Sequence, residues 1–139
     1  MTLPRRVIVD TGALLGLASS RDQYHARARR TLTALQASGT RLVGHVLVLG
    51  ELHGHLIRRL EPAAARRIVV GLTRDPSFEW IDVSADLVSR AFASWIERFA
   101  DQRLSLTDAV SFEIMREERV THAFAYDQDF VTAGFSLLA

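Results

Sequence analysis

The run Val7-Ile8-Val9-Asp10-Thr11-Gly12 carries three β-branched residues straight into a helix-like stretch, Ala13-Leu14-Leu15-Gly16-Leu17-Ala18. A continuous apolar run of this kind reads as a strand that wants burial on both faces, yet it ends on a carboxylate. The same succession of short strand and helix repeats down the chain. Tyr24 to Gln36 reads as a helix with Ala28, Leu32 and Leu35 on one face and Arg27, Arg29 and Arg30 mostly off it, stopped by Ser38-Gly39. Arg41 to Gly44 reads as a second strand, and Leu49, Leu52, Leu56 and Leu60 mark a helix over Val46 to Leu60. Pro62 opens a further helix at its first turn, where a missing N–H is harmless, and Asp75-Pro76 breaks it after about Thr73. Phe78 to Val83 alternates as a half-buried strand, and Leu87, Val88, Ala91, Trp95 and Phe99 mark a long helix over Ser84 to Phe99. A helix over Thr107 to Glu118, a strand over His122 to Tyr126 and a last strand over Phe135 to Leu138 complete the series. Strands alternating with helices predict an α/β fold, a mainly parallel central sheet sandwiched by helices.

A chain of 139 residues with no repeat or linker is expected to form a single domain spanning 1–139. It is 48% hydrophobic and 24% charged, ordinary for a soluble globular protein. No apolar run approaches the ~20 residues that a bilayer span needs, and the first six residues lead into a strand rather than a signal-peptide core. A cytoplasmic protein with no membrane association is the expectation. The absence of cysteine excludes disulfides and Cys-based zinc sites. Net charge is +1, so the whole-molecule field does not announce a nucleic-acid partner. All 17 basic residues are arginine, and lysine and asparagine are absent. Codon bias of a GC-rich genome explains that better than function does, although arginine forks also suit phosphate recognition.

In an open parallel sheet, ligands bind outside the carboxyl ends of the strands. Asp10 follows the first strand, and Asp127 follows the strand His122 to Tyr126, with Asp129 two residues later. If those strands are neighbours, both acids face one rim. Each also has a plainer reading: Asp10 and Asp127 could cap the helices after them, and Ser105-Leu106-Thr107-Asp108 matches a capping box. Glu51 resists that reading. It falls within the apolar helical run Val46 to Leu52, where a carboxylate is costly unless exposed, paired with Arg58, Arg59 or His55, or bound to a cation. Several carboxylates on short elements of one domain suit a magnesium or manganese ion, which prefers carboxylate oxygen and retained water. Such an ion lowers the pKa of bound water and steadies the attacking and leaving oxygens of a phosphodiester. His53 and His55 face different directions on a helix and make a poor zinc pair. Trp80, Trp95 and Phe99 read as packing before they read as stacking platforms for bases.

With these residues in place, the chain resembles the PIN-domain ribonucleases, and among them the VapC-like toxins of bacterial and archaeal toxin–antitoxin pairs. Four segments carry the resemblance in order: Val7 to Leu15, Val48-Leu49-Gly50-Glu51-Leu52, Leu104 to Phe112, and Ala125 to Phe130 with Ala133-Gly134-Phe135. The resemblance implies a PIN-like fold and a Mg2+- or Mn2+-dependent endoribonuclease. Its catalytic acids would be Asp10, Glu51, Asp108 and Asp127, with Asp129 as a further metal-binding acid and Thr11 and Thr107 as supporting hydroxyls. It implies tRNA, rRNA or mRNA as substrate, a homodimer, and silencing by a cognate antitoxin protein. Other readings are an RNA-processing nuclease without a toxin role, a non-catalytic RNA- or protein-binding module, and a phosphotransfer domain using Asp10 as nucleophile. The last needs a neighbouring lysine for phosphate, which this chain lacks.

Overall fold

The computed structural model describes residues 2–138. In chain order the elements are β1 (Arg6–Val9), α1 (Thr11–Ala18), α2 (His25–Ala37), β2 (Arg41–His45), α3 (Val46–Arg59), α4 (Pro62–Arg74) and β3 (Phe78–Ile81). There follow α5 (Ala85–Ala91), a π-helical turn (Phe92–Ile96), α6 (Leu106–Glu118), β4 (His122–Phe124), α7 (Asp129–Thr132) and β5 (Ser136–Leu137). The strands form one five-stranded sheet in the order β3-β2-β1-β4-β5. Every pairing is parallel, as the alternation of strands and helices predicts.

The residues of β1 show why the sheet is covered on both sides. Val7 and Val9 enter one core with Leu14, Leu35, Leu52 and Leu56, from the helices of the first half of the chain. Ile8 enters the other, with Leu87, Trp95, Phe112 and Met115 from the second half. Val7, Ile8 and Val9 are completely buried. Period-two alternation divides the strand between two cores, and full burial of each such aliphatic side chain contributes roughly 1.5–3 kcal/mol. The second core is aromatic: Phe112 meets Phe130 edge-on at 5.0 Å and Trp95 at 5.3 Å between ring centres. Trp95 also donates its indole N–H to the fully buried Glu113, and Arg116 pairs with the same carboxylate.

Differences from the sequence reading lie at the ends of elements. The expected helix over Ser84 to Phe99 is α5 followed by the π turn, through which Trp95 reaches Glu113 and Phe112. The strands expected to end at Val83 and Tyr126 stop at Ile81 and Phe124, and the helix after Asp127 is the short α7. Gly39 does end α2 as expected, with φ +70°, a conformation that favours glycine. Gly44 faces Trp80 across β2 and β3; a Cβ there would lie 2.4 Å from the indole ring. Among the described residues no helix is long and apolar enough to cross a membrane.

Candidate active site

The strand order makes β1 the turning point of the sheet: β2 and β3 lie to one side of it, β4 and β5 to the other. Open parallel sheets place their ligand crevice at such a point. β1 and β4 are paired neighbours, with Val9 opposite Phe124. Asp10 and Asp127 therefore leave the sheet on one rim, and the Asp10 amide is tied to the Phe124 carbonyl at 3.1 Å. Asp108 arrives from the first turn of α6, whose N-terminus carries partial positive charge. Asp108, Asp127 and Asp129 each bring a carboxylate oxygen within 4.8 Å of the others.

Asp10 sits at the N-cap position of α1 without making a side-chain cap bond, so its capping role is not realised. It is only 9% exposed, and burial pushes its carboxyl up to about 7, with the neighbouring charges of Asp108, Asp127 and Glu51 adding to the rise. The backbone N–H of Thr11 works the other way. Asp108 is pushed up to about 6, again first by burial and then by Asp127, Glu51 and Asp129, against a hydrogen bond from Ser105 that lowers it. Asp129 is raised by burial and by Asp127. Carboxylates this close favour holding protons or a shared cation. At α6 the cap is Ser105 rather than Asp108, and Asp127 forms a turn just ahead of α7, whose N-cap position is Gln128. The Ser105 hydroxyl accepts from the Asp108 N–H at 3.1 Å, and Asp127 Oδ1 accepts from the Asp129 N–H at 2.9 Å.

Glu51 is exposed on α3 rather than embedded in the apolar face, and among the described residues neither Arg58 nor Arg59 pairs with it. What ties it to the rim is Thr11, whose hydroxyl donates to Glu51 Oε1 at 2.8 Å. Thr107 is buried beside Asp108 and meets His45 through its backbone. His53 and His55 stay outside the carboxylate cluster. His45 has no place in the sequence reading. It ends β2 as Asp10 follows β1, is fully buried, and shares a hydrogen bond with the Ser111 hydroxyl at 2.9 Å. Burial pushes its imidazole down to about 4, so it is neutral at physiological pH. A polar residue closing an otherwise apolar strand was the available signal. An all-oxygen donor set with mutually repelling carboxyls fits a hard divalent cation such as Mg2+ or Mn2+. Asp108, Asp127 and Asp129 are the nearest set to hold it, with Asp10 and Glu51 beside them.

Residues 7–136 match the PIN domain family. The chain belongs to that family and is a VapC-like member of it. It is 34% identical over 130 residues to the 23S rRNA-specific endonuclease VapC20 of Mycobacterium tuberculosis, covering 93% of this chain and 95% of that protein. The crystal structure of that VapC20, described as a Sarcin-Ricin loop cleaving toxin, superposes with a TM-score of 0.81 at 32% identity, covering 93% and 95% of the two chains. VapBC2 from Rickettsia felis, solved bound to a DNA fragment from its promoter, shares the fold with a TM-score of 0.70 at 14% identity, over 96% and 97% of the chains.

Proposed function

We propose that this chain is a Mg2+- or Mn2+-dependent endoribonuclease that hydrolyses RNA phosphodiesters and acts as the toxin of a toxin–antitoxin pair. The observation that carries the reading is the convergence of Asp108, Asp127 and Asp129 within 4.8 Å, beside Asp10 at the end of the neighbouring strand. When bound, a divalent cation supplies charge neutralisation at the phosphate and Lewis acidity toward water. The protein's own groups do the rest. Asp127 is steadied by the Asp129 amide, which donates to its Oδ1, and both residues would help hold the cation. Thr11 holds the exposed Glu51 through Oε1, which leaves that carboxylate a base for the attacking water. Asp10 and Asp108, whose carboxyls are pushed up to about 7 and about 6, would give up protons on holding the cation.

The name of the 34% identical relative makes structured ribosomal RNA the first substrate to try. The chain works in the cytoplasm as a homodimer and is silenced by a cognate antitoxin; complexes of toxin with antitoxin among proteins of the same fold support that partner. The test is RNA cleavage with Mg2+ or Mn2+, and growth arrest on expression, for the wild type and Asp108→Asn. The variant is expected to keep its circular dichroism spectrum and lose both activities. Full activity in Asp108→Asn would sink the assignment.

A further inference from the structure

Among the chain's many arginines, Arg27 has an uncommon setting. Its guanidinium carbon lies 5.0 Å from the centre of the Tyr126 ring. Tyr126 is itself stacked on Tyr24, with centroids 4.0 Å apart and planes 12° from parallel. Tyr126 is also the residue immediately before Asp127. α2 thus delivers a guanidinium, steadied over an aromatic face, to the residue adjoining the carboxylate cluster. Arg30 follows one turn later, and Arg27, Arg30, Thr31 and Ala34 line an open cleft of about 350 Å3 that no carboxylate lines.

Charge points the same way. Arg27 and Arg30 are exposed and, like most of the chain's arginines, enter no salt bridge among the described residues. The nearest acid on this side, Asp22, accepts the Tyr24 N–H at 2.8 Å and faces Arg59 at 4.0 Å. The rim itself gathers Asp10, Glu51, Asp108, Asp127 and Asp129, more negative charge than one divalent cation offsets. A polyanion must therefore be drawn in by cations beside the cluster. A planar guanidinium whose aromatic support limits its freedom is well suited to grip phosphate oxygens in pairs. We propose that Arg27, with Arg30, forms a phosphate-binding subsite for the RNA strand flanking the scissile bond on the Asp127 side, and that Tyr126 is the platform that orients Arg27. This inference rests on the endoribonuclease reading of the adjoining site.

The experiment measures binding of a fluorescently labelled RNA stem-loop by anisotropy in the Asp108→Asn background, where cleavage does not interfere, from about 0.05 to 0.3 M salt. Arg27→Ala is expected to weaken binding roughly tenfold near physiological salt. The slope of log affinity against log salt should fall by about 0.7 for each single-strand phosphate that the protein no longer neutralises. Arg27→Lys should keep the slope while losing part of the affinity. Tyr126→Leu should weaken binding in the same direction, and Arg27→Ala/Tyr126→Leu should cost less than the two single losses combined, because the platform acts through Arg27. Arg66→Ala/Arg67→Ala on α4, which packs against α3 and β3, is the control and should leave binding unchanged. Unaltered affinity and slope in Arg27→Ala/Arg30→Ala would overturn the proposal, as would an equal loss in the α4 control, which means bulk charge alone. A wild type that cleaves RNA while Arg27→Ala/Arg30→Ala keeps its KM removes only the subsite. A wild type that cleaves no RNA with either metal removes the nuclease reading, and the binding comparison still decides the subsite.

Discussion

Asp10 and His45 close adjacent strands, and burial moves their proton affinities in opposite directions. Asp10 rises from its ordinary value to about 7, whereas His45 falls to about 4. The folded state thus holds the Asp10 proton more tightly than the unfolded chain does. Its contribution to stability is complete below about pH 4 and disappears as pH rises through about 7. His45 works the other way: its contribution is present above about 6.5 and is lost as pH falls toward 4. A raw stability profile mixes the two, so the informative comparison is between variants. Metal-free Asp10→Asn is expected to be more stable than the wild type at pH 8, with the difference shrinking toward pH 5. Each tenfold change in proton affinity is worth about 1.4 kcal/mol, so urea unfolding at the two pH values resolves it. An Asp10→Asn protein no more stable than wild type at pH 8 would show that Asp10 is not under electrostatic stress. Which residues were acidic was plain in the sequence; how deeply each is buried was not. Glu51, taken there for a carboxylate inside an apolar run, is exposed, and Asp10, next to a helix start, is the buried one.

At the scale of elements, the helices were legible wherever apolar residues repeat at helical spacing on one face. α2, α3, α4 and α6 run within a few residues of their expected limits. The misreadings share a cause. Over Ser84 to Phe99 the apolar spacing is helical throughout, and the π turn that carries Trp95 to Glu113 and Phe112 of α6 leaves no mark in that spacing. β2 offers a sharper case. Gly44 lies within β2, and the Trp80 ring occupies the space a side chain would need. Gly44→Ala is expected to lower stability by about 1–3 kcal/mol through overpacking, while Gly50→Ala on α3, where a Cβ meets nothing within 4 Å, is expected to be neutral or slightly stabilising. Thermal unfolding of the two variants side by side measures the contrast, and equal melting temperatures would contradict the crowding.

For the whole molecule, the consequence of gathering acids at one rim is linkage between metal and protons. At pH 6 Asp10, and part of the Asp108 population, still carry protons that a cation must displace. Mn2+ titration calorimetry in two buffers of different ionisation enthalpy should show proton release near pH 6 that fades by pH 8.5, and a buffer-independent heat at pH 6 would contradict the linkage. By itself the sequence determined the alternation of strand and helix, the parallel sheet covered on both sides, and the acids with their order along the chain. Those features follow from local spacing and residue chemistry, which need no knowledge of distant neighbours. Only the tertiary structure decided that β1 and β4 are adjacent, which brings Asp10 to Asp127. It also decided that Thr11 holds Glu51 across 40 residues, that His45 lies under α6, and that Arg27 rests on Tyr126. Each of those joins residues far apart in sequence through burial and strand order, and neither quantity is carried by any short stretch of the chain.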